Sequence, residues 1–133
     1  MIKRLCWLLV LGGLAGCNLM ADTTTPTPPA TPDVPQVAFN APPNRVQVFD
    51  GVLMDLDIVA QDTTAGIARV ELYVDGELHT EGEPEVPPTP LFRVSMNWYA
   101  QGVGFHTLTA VAYRPDDTPS QEATIVVEVV ART

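Results

Sequence analysis

Val70-Glu71-Leu72-Tyr73-Val74-Asp75-Gly76-Glu77 alternates apolar and polar side chains, then sets Asp-Gly directly before a second extended run. A period of two puts Val70, Leu72 and Val74 on one face of a strand and Glu71 and Tyr73 on the other. Asp-Gly accepts positive φ at both central positions of a type I′ turn, so a hairpin is predicted here, with Leu78 opening the returning strand.

The same period recurs on both sides. In residues 53–61, Met54, Leu56, Ile58 and Ala60 share an inward face while Asp55, Asp57 and Gln61 point out, with Val59 the apolar exception on the outer face. In residues 91–98, Phe92, Val94, Met96 and Trp98 alternate with Arg93, Ser95 and Asn97. Gly102 and Gly104 interrupt the pattern, which resumes with His106, Leu108, Ala110 and Ala112 inward and Thr107, Thr109, Val111 and Tyr113 outward. A last strand over residues 121–130 turns Ala123, Ile125, Val127 and Val129 inward, since Glu128 must face water. Ahead of these, residues 37–39 stop at Ala41-Pro42-Pro43 and resume at 45–49, one strand divided by a proline break, and Asp50-Gly51 turns the chain. Residues 81–90 are acidic and proline-rich and read as an exposed loop. No helical stripe competes. The predicted fold class is all-β, a single antiparallel β-sandwich of about seven strands spanning residues 36–131.

The N-terminus has a different character. Lys3-Arg4 precede a short apolar run over residues 5–14, and Leu14-Ala15-Gly16-Cys17 follows. The run falls short of the roughly 20 residues that a membrane-spanning helix needs. Residues 1–17 resemble the signal peptide and lipobox of bacterial lipoproteins. The resemblance implies cleavage between Gly16 and Cys17 and a diacylglycerol on Cys17, which tethers the chain to the outer side of a bacterial membrane. Residues 17–35 then form a Pro/Thr-rich disordered linker (Thr23-Thr24-Thr25-Pro26-Thr27-Pro28-Pro29, then Thr31-Pro32 and Pro35). Proline favours the polyproline II conformation, so residues 22–35 extend about 3.1 Å per residue as a semi-rigid stalk, roughly 40 Å in all. The expected organisation is a signal peptide (1–16), lipidated cysteine and linker (17–35) and sandwich (36–131).

Composition narrows the functional classes. The formal charge is −9; removal of Lys3 and Arg4 with the signal leaves five arginines against 16 acidic residues, a formal −11. This balance excludes nucleic acid as an expected partner and repels anionic headgroups. Cys6 leaves with the signal and Cys17 takes lipid, so no thiol remains for a disulfide, metal or nucleophile. With His79, His106, Ser95 and Ser120 the only histidines and serines, no nucleophile motif is assembled; no enzyme activity and no cofactor is expected. His106, inward and beside a glycine pair, is read as ordering a loop through a hydrogen bond. Asp55 and Asp57, on one outer face, are read as partners of Arg93 across the sheet.

Ala60-Gln61-Asp62, Gly66-Ile67, residues 70–76, Trp98 and Gly104-Phe105-His106-Thr107-Leu108-Thr109-Ala110 together resemble bacterial Ig-like domains, over about residues 36–131. That resemblance implies a two-sheet sandwich serving as a spacer, adhesion or carbohydrate-proximal module. It also places the third, sixth and seventh strands side by side. Tyr73, Val111, Tyr113, Val126 and Val130 then share outward parity and form the candidate binding face, exposed to an envelope protein or polysaccharide. The expected function is a lipid-anchored, extracytoplasmic, cell-surface module for display, adhesion or binding. One alternative is a structural accessory lipoprotein packed into an envelope assembly. A second is a calcium-dependent carbohydrate-binding module, which requires Asp50, Asp62, Asp116 and Asp117 to converge. No ligand motif is present, so no metal site is assigned.

Overall fold

A computed structural model of the chain describes residues 33–133; the signal segment, the lipobox cysteine and residues 17–32 of the linker lie outside the described residues. Eight strands follow one another: β1 Gln36–Ala41, β2 Val46–Phe49, β3 Val52–Gln61, β4 Arg69–Val74, β5 Glu77–Gly82, β6 Leu91–Ala100, β7 Gly104–Tyr113 and β8 Ala123–Val130. They form two sheets, ordered β1-β3-β6 and β2-β8-β7-β4-β5. No helix occurs among the described residues.

The inward residues of the two sheets make one core. Leu56, Ile58 and Ala60 of β3 and Met96 and Trp98 of β6 meet Val70 and Leu72 of β4, Leu108 and Ala110 of β7, and Val127 and Val129 of β8. Fully burying a Val, Leu or Ile contributes about 1.5–3 kcal/mol, so the alternation itself holds the sheets together where no disulfide does. The β4–β5 hairpin turns as expected, with φ of 49° at Asp75 and 86° at Gly76. A bulge between Leu72 and Tyr73 sets Tyr73 opposite Leu78.

Three features differ from the sequence expectation. There are eight strands, not seven, because the proline break at Pro42-Pro43 moves the chain from one sheet to the other: β1 pairs with β3, and β2 pairs with β8. The sandwich is therefore not wholly antiparallel, since β2 runs parallel to β8 while the other pairs are antiparallel. A proline lacks the N–H that a continuous ladder needs, which frees the following residues to take a new partner. Finally, Pro35 is fully buried, and Asp33 bonds Arg114 and Thr64, so the end of the stretch read as linker packs on the sandwich.

The two ends of the sandwich are closed by different polar groups. At the entry end, where Gln36 pairs with Gln61, the Arg114 guanidinium at the end of β7 grips the Asp62 carboxylate at the end of β3 at 2.6 and 3.1 Å. The same guanidinium donates to Asp33 at 2.8 Å. At the far end, the Asp50 carboxylate accepts the Gly102 N–H at 2.9 Å, joining the β2–β3 turn to the β6–β7 turn.

Trp98 is 5% exposed, as its strand parity predicts. Trp98→Ala is expected to lower unfolding free energy by about 3–5 kcal/mol in chemical denaturation, because it leaves a cavity that flanking side chains fill only in part. A loss below about 1 kcal/mol would mean that Trp98 adds little to the core.

Candidate functional site

The outer face of the five-stranded sheet carries the candidate residues. Strands β8, β7 and β4 adjoin, as the sequence reading expected, with Tyr73 opposite Thr109, Val111 opposite Glu71 and Tyr113 opposite Arg69. The structure brings Tyr73, Val111 and Tyr113 together in one groove of about 480 Å³, also lined by Thr109, Ser120 and Glu122. Val126 and Val130 lie on the same face outside the groove, half-buried, opposite Thr107 and Phe49.

Exposure differs from the reading by parity. Val111 is only 6% exposed and forms the groove floor, while Tyr73 and Tyr113 are half-buried. Glu71 explains part of this. Its carboxylate accepts the Tyr73 hydroxyl at 2.6 Å and the Arg69 Nε–H at 3.3 Å. Burial pushes the Glu71 carboxyl up, but the bonds from Tyr73, Tyr113 and Arg69 outweigh it and hold the group below the ordinary carboxylate range. The bond to Glu71 in turn raises the Tyr73 hydroxyl far above its ordinary value, so it stays protonated. The Arg69 guanidinium lies 4.1 Å from the Tyr113 ring centroid and also reaches Asp117 at 2.6 Å.

Parity reasoning missed a second apolar group on this face. Phe49 and Phe105 are more than half exposed near the far end, as is Val103 in the β6–β7 turn, and the Arg132 guanidinium sits 5.9 Å from the Phe49 ring centroid. The outward parity of Phe105, two residues before Thr107, was the available signal.

The other singled-out groups are engaged. Asp57 accepts a two-pronged ion pair from Arg93 and the Asn40 amide at 2.7 Å, whereas Asp55 stands opposite Asn97 on the same outer face. The acidic loops do not converge. Asp50 and Asp62 are separated by the ten-residue β3, about 33 Å at ~3.3 Å per residue. Asp62 is tied to Arg114, Asp117 to Arg69, and Asp116 accepts the Thr118 N–H. No group of three His, Cys, Asp or Glu poised for a metal occurs among the described residues. A calcium-dependent site built on these four residues is thereby excluded.

His106 orders its loop as the sequence suggested. Its Nε2 meets the Gly102 carbonyl at 2.6 Å and its Nδ1 the Asp75 carboxylate at 2.7 Å, with the ring tilted on Trp98 at 5.4 Å between centroids. The second Asp75 oxygen accepts the Thr107 N–H at 2.8 Å. His79, in contrast, meets the Asn97 carbonyl on the edge of β6.

Comparisons with known proteins place this geometry. The model of the bacterial Ig domain family matches residues 35–110. Among solved structures, the chain is similar to the fibronectin(III)-like modules of CbhA from Clostridium thermocellum, at 24% identity and a TM-score of 0.62 over 74% of this chain and 100% of that one. It is also similar to the CARDB domain of a Pyrococcus furiosus protein in complex with di-metal ions, at 16% identity and 0.55 over 77% and 99%. The SrpA adhesin of Streptococcus sanguinis matches at 15% identity and 0.53 over 77% of this chain and 60% of that one. These likenesses show the sandwich fold. No curated protein sequence matches the chain.

Both partners of the His106 ring are acceptors, so the two bonds form together only in the imidazolium. Donation to the Gly102 carbonyl and then to Asp75 raises the His106 pKa against the opposing effect of burial. A folded-state value above the unfolded one, about 6.5, stabilises the fold fully below that pH, and the contribution is lost as pH rises through the raised value. Thermal midpoints are expected to fall between pH 6 and 9 for the native chain. His106→Gln should have a lower midpoint at pH 6 and little slope; an unchanged slope in that variant would assign the pH dependence elsewhere.

Proposed function

The chain belongs to the bacterial Ig domain family, and from that premise we propose that it is a non-catalytic module displayed on the outer side of a bacterial membrane, held by lipid on Cys17. The order of the sequence carries this reading: Leu14-Ala15-Gly16-Cys17 and a Pro/Thr-rich stretch run straight into the end of a sandwich at which Asp33 is clasped. The stretch spaces the domain from the bilayer, and the strongly acidic surface keeps it off anionic headgroups. Display then leaves the outer sheet face and the far end for a protein or polysaccharide partner. The engagement of Asp57, Asp62 and His106 by fixed partners supports a binding rather than a catalytic role. The family and the fold shared with an adhesin support a place outside the cytoplasm.

A structural accessory role in an envelope assembly is favoured by one observation, the exposed Phe49 and Phe105 rings on the outer sheet face, which a permanent neighbour would cover.

Expressed in bacteria fed a labelled fatty acid, the native chain is expected to carry label and to sediment with membranes. Cys17→Ser should lose the label and be secreted or accumulate as precursor, with thermal unfolding of the sandwich unchanged. A Cys17→Ser protein that stays labelled and membrane-bound would overturn the anchoring claim.

A further inference from the structure

We propose that the groove between Tyr73 and the 120–122 segment binds a short stretch of uncharged glycan. This rests on the reading of the chain as a displayed binding module and names the ligand class for its outer sheet face. At about 480 Å³ the groove falls within the size range of small-ligand sites. Its lining combines an apolar floor, Val111, and the Tyr73 and Tyr113 rings with the oxygens of Thr109 and the exposed Glu122, while the buried Ser120 hydroxyl is already bonded to the Ala112 N–H and the Gln121 carbonyl. A pyranose has the matching surface: C–H faces that pack on rings and aliphatic carbons, and a rim of hydroxyls that donate to oxygen acceptors.

The alternatives fit the groove less well. No lysine or arginine lines it, and Arg69 beside it is already engaged by Glu71, Asp117 and the Tyr113 ring. A polyanionic chain would therefore meet Glu122 with no free cation to offset it. An extended peptide recognised by strand addition is excluded on other grounds. Strands β4 and β7 are interior, each with a partner on both sides, so the groove floor offers no ladder of unpaired backbone groups. Recognition must run through side-chain oxygens and ring faces, which is sugar chemistry. The walls are also set in advance: the Tyr73 hydroxyl is held by Glu71 and the Tyr113 ring is covered on one side by Arg69. Fixed rings reduce the entropy lost on binding.

The test uses the full lipidated chain in a sugar-free zwitterionic detergent, observed by amide NMR. The probes are neutral tetrasaccharides of β-linked glucose and of N-acetylglucosamine, an oligogalacturonate, and a peptide of residues 22–35. At least one neutral tetrasaccharide is expected to bind saturably, tighter than about 1 mM, with shifts centred on Thr109 and Val111. Tyr73→Ser should weaken it at least tenfold. Because that change also releases Glu71, the exposed Glu122→Ala on the opposite wall is the second variant, also expected to weaken binding, whereas Gln47→Ala, on the same face outside the groove, should bind normally. No saturable neutral sugar, shifts centred elsewhere, or preference for the polyanion or the peptide would overturn the proposal. Label on Cys17 is read separately in cells, so loss of glycan binding with label retained defeats this inference and leaves the display reading standing.

Discussion

The pairing of Asp62 with Arg114 is the interaction on which the rest of the sandwich depends, because it ties the end of β3 in one sheet to the end of β7 in the other. Two sheets without a disulfide are held by apolar contact, which is strong but non-directional and tolerates sliding. A two-pronged guanidinium–carboxylate pair is directional. Here it is nearly buried and fully satisfied: Asp62 also accepts the Thr64 N–H at 3.1 Å, and Arg114 also reaches Asp33. Removing both charges from water costs much of what their attraction returns, so the pair contributes less to net stability than to alignment of the sheets. The cost is limited because, among the described residues, no buried side-chain polar atom lacks a partner. The same guanidinium also holds Asp33, and so fixes where the chain enters β1.

Much of the fold was legible because alternation reports directly on strand faces. Residues 53–61, 70–74, 91–98 and 108–112 turned the expected side chains into or against the core, His106 stayed half-buried at its edge, and Asp75-Gly76 turned where its φ preferences require. The proline break was legible as a break but not as a change of sheet. Periodicity in residues 45–49 says which side chains face inward, yet partner choice depends on β8, which lies about 80 residues further on and supplies Val127 and Val129 opposite Val46 and Val48. Nothing local encodes that pairing. The same limit explains Pro35: a proline ending a Pro/Thr-rich stretch reads as linker until the cleft that buries it is known.

The candidate site was legible by face and not by depth. Parity assigned Tyr73, Val111 and Tyr113 to one outer surface, and they line one groove. Burial of Val111 follows from its neighbours: Glu71 opposite it is drawn down by two tyrosines and an arginine, and Tyr73 and Tyr113 close over the floor between them. A valine flanked by long side chains that bond to one another is covered even where its strand faces water. Phe105 illustrates the converse, since its cross-strand partner Glu128 turns to Gln47 at 2.7 Å and leaves the ring uncovered.

Function on such a face depends on rigidity, and the two polar closures supply it at opposite ends. Arg114 and Asp62 hold the strand ends beside Tyr113; His106, bonded to Asp75 and Gly102, holds the hairpin that follows Tyr73 against the β6–β7 turn. The tyrosines therefore sit on strands fixed at both ends, with hydroxyls and rings restrained by Glu71 and Arg69. A surface built this way offers one arrangement of ring faces and oxygens rather than many. In the proposed binding role, such an arrangement would select a ligand by shape and hydrogen bonding, while the acidic charge of the domain would discourage adventitious contact with anionic surfaces. Selectivity of this kind needs no catalytic group, and the interactions that stabilise the fold are the same ones that define the face it presents.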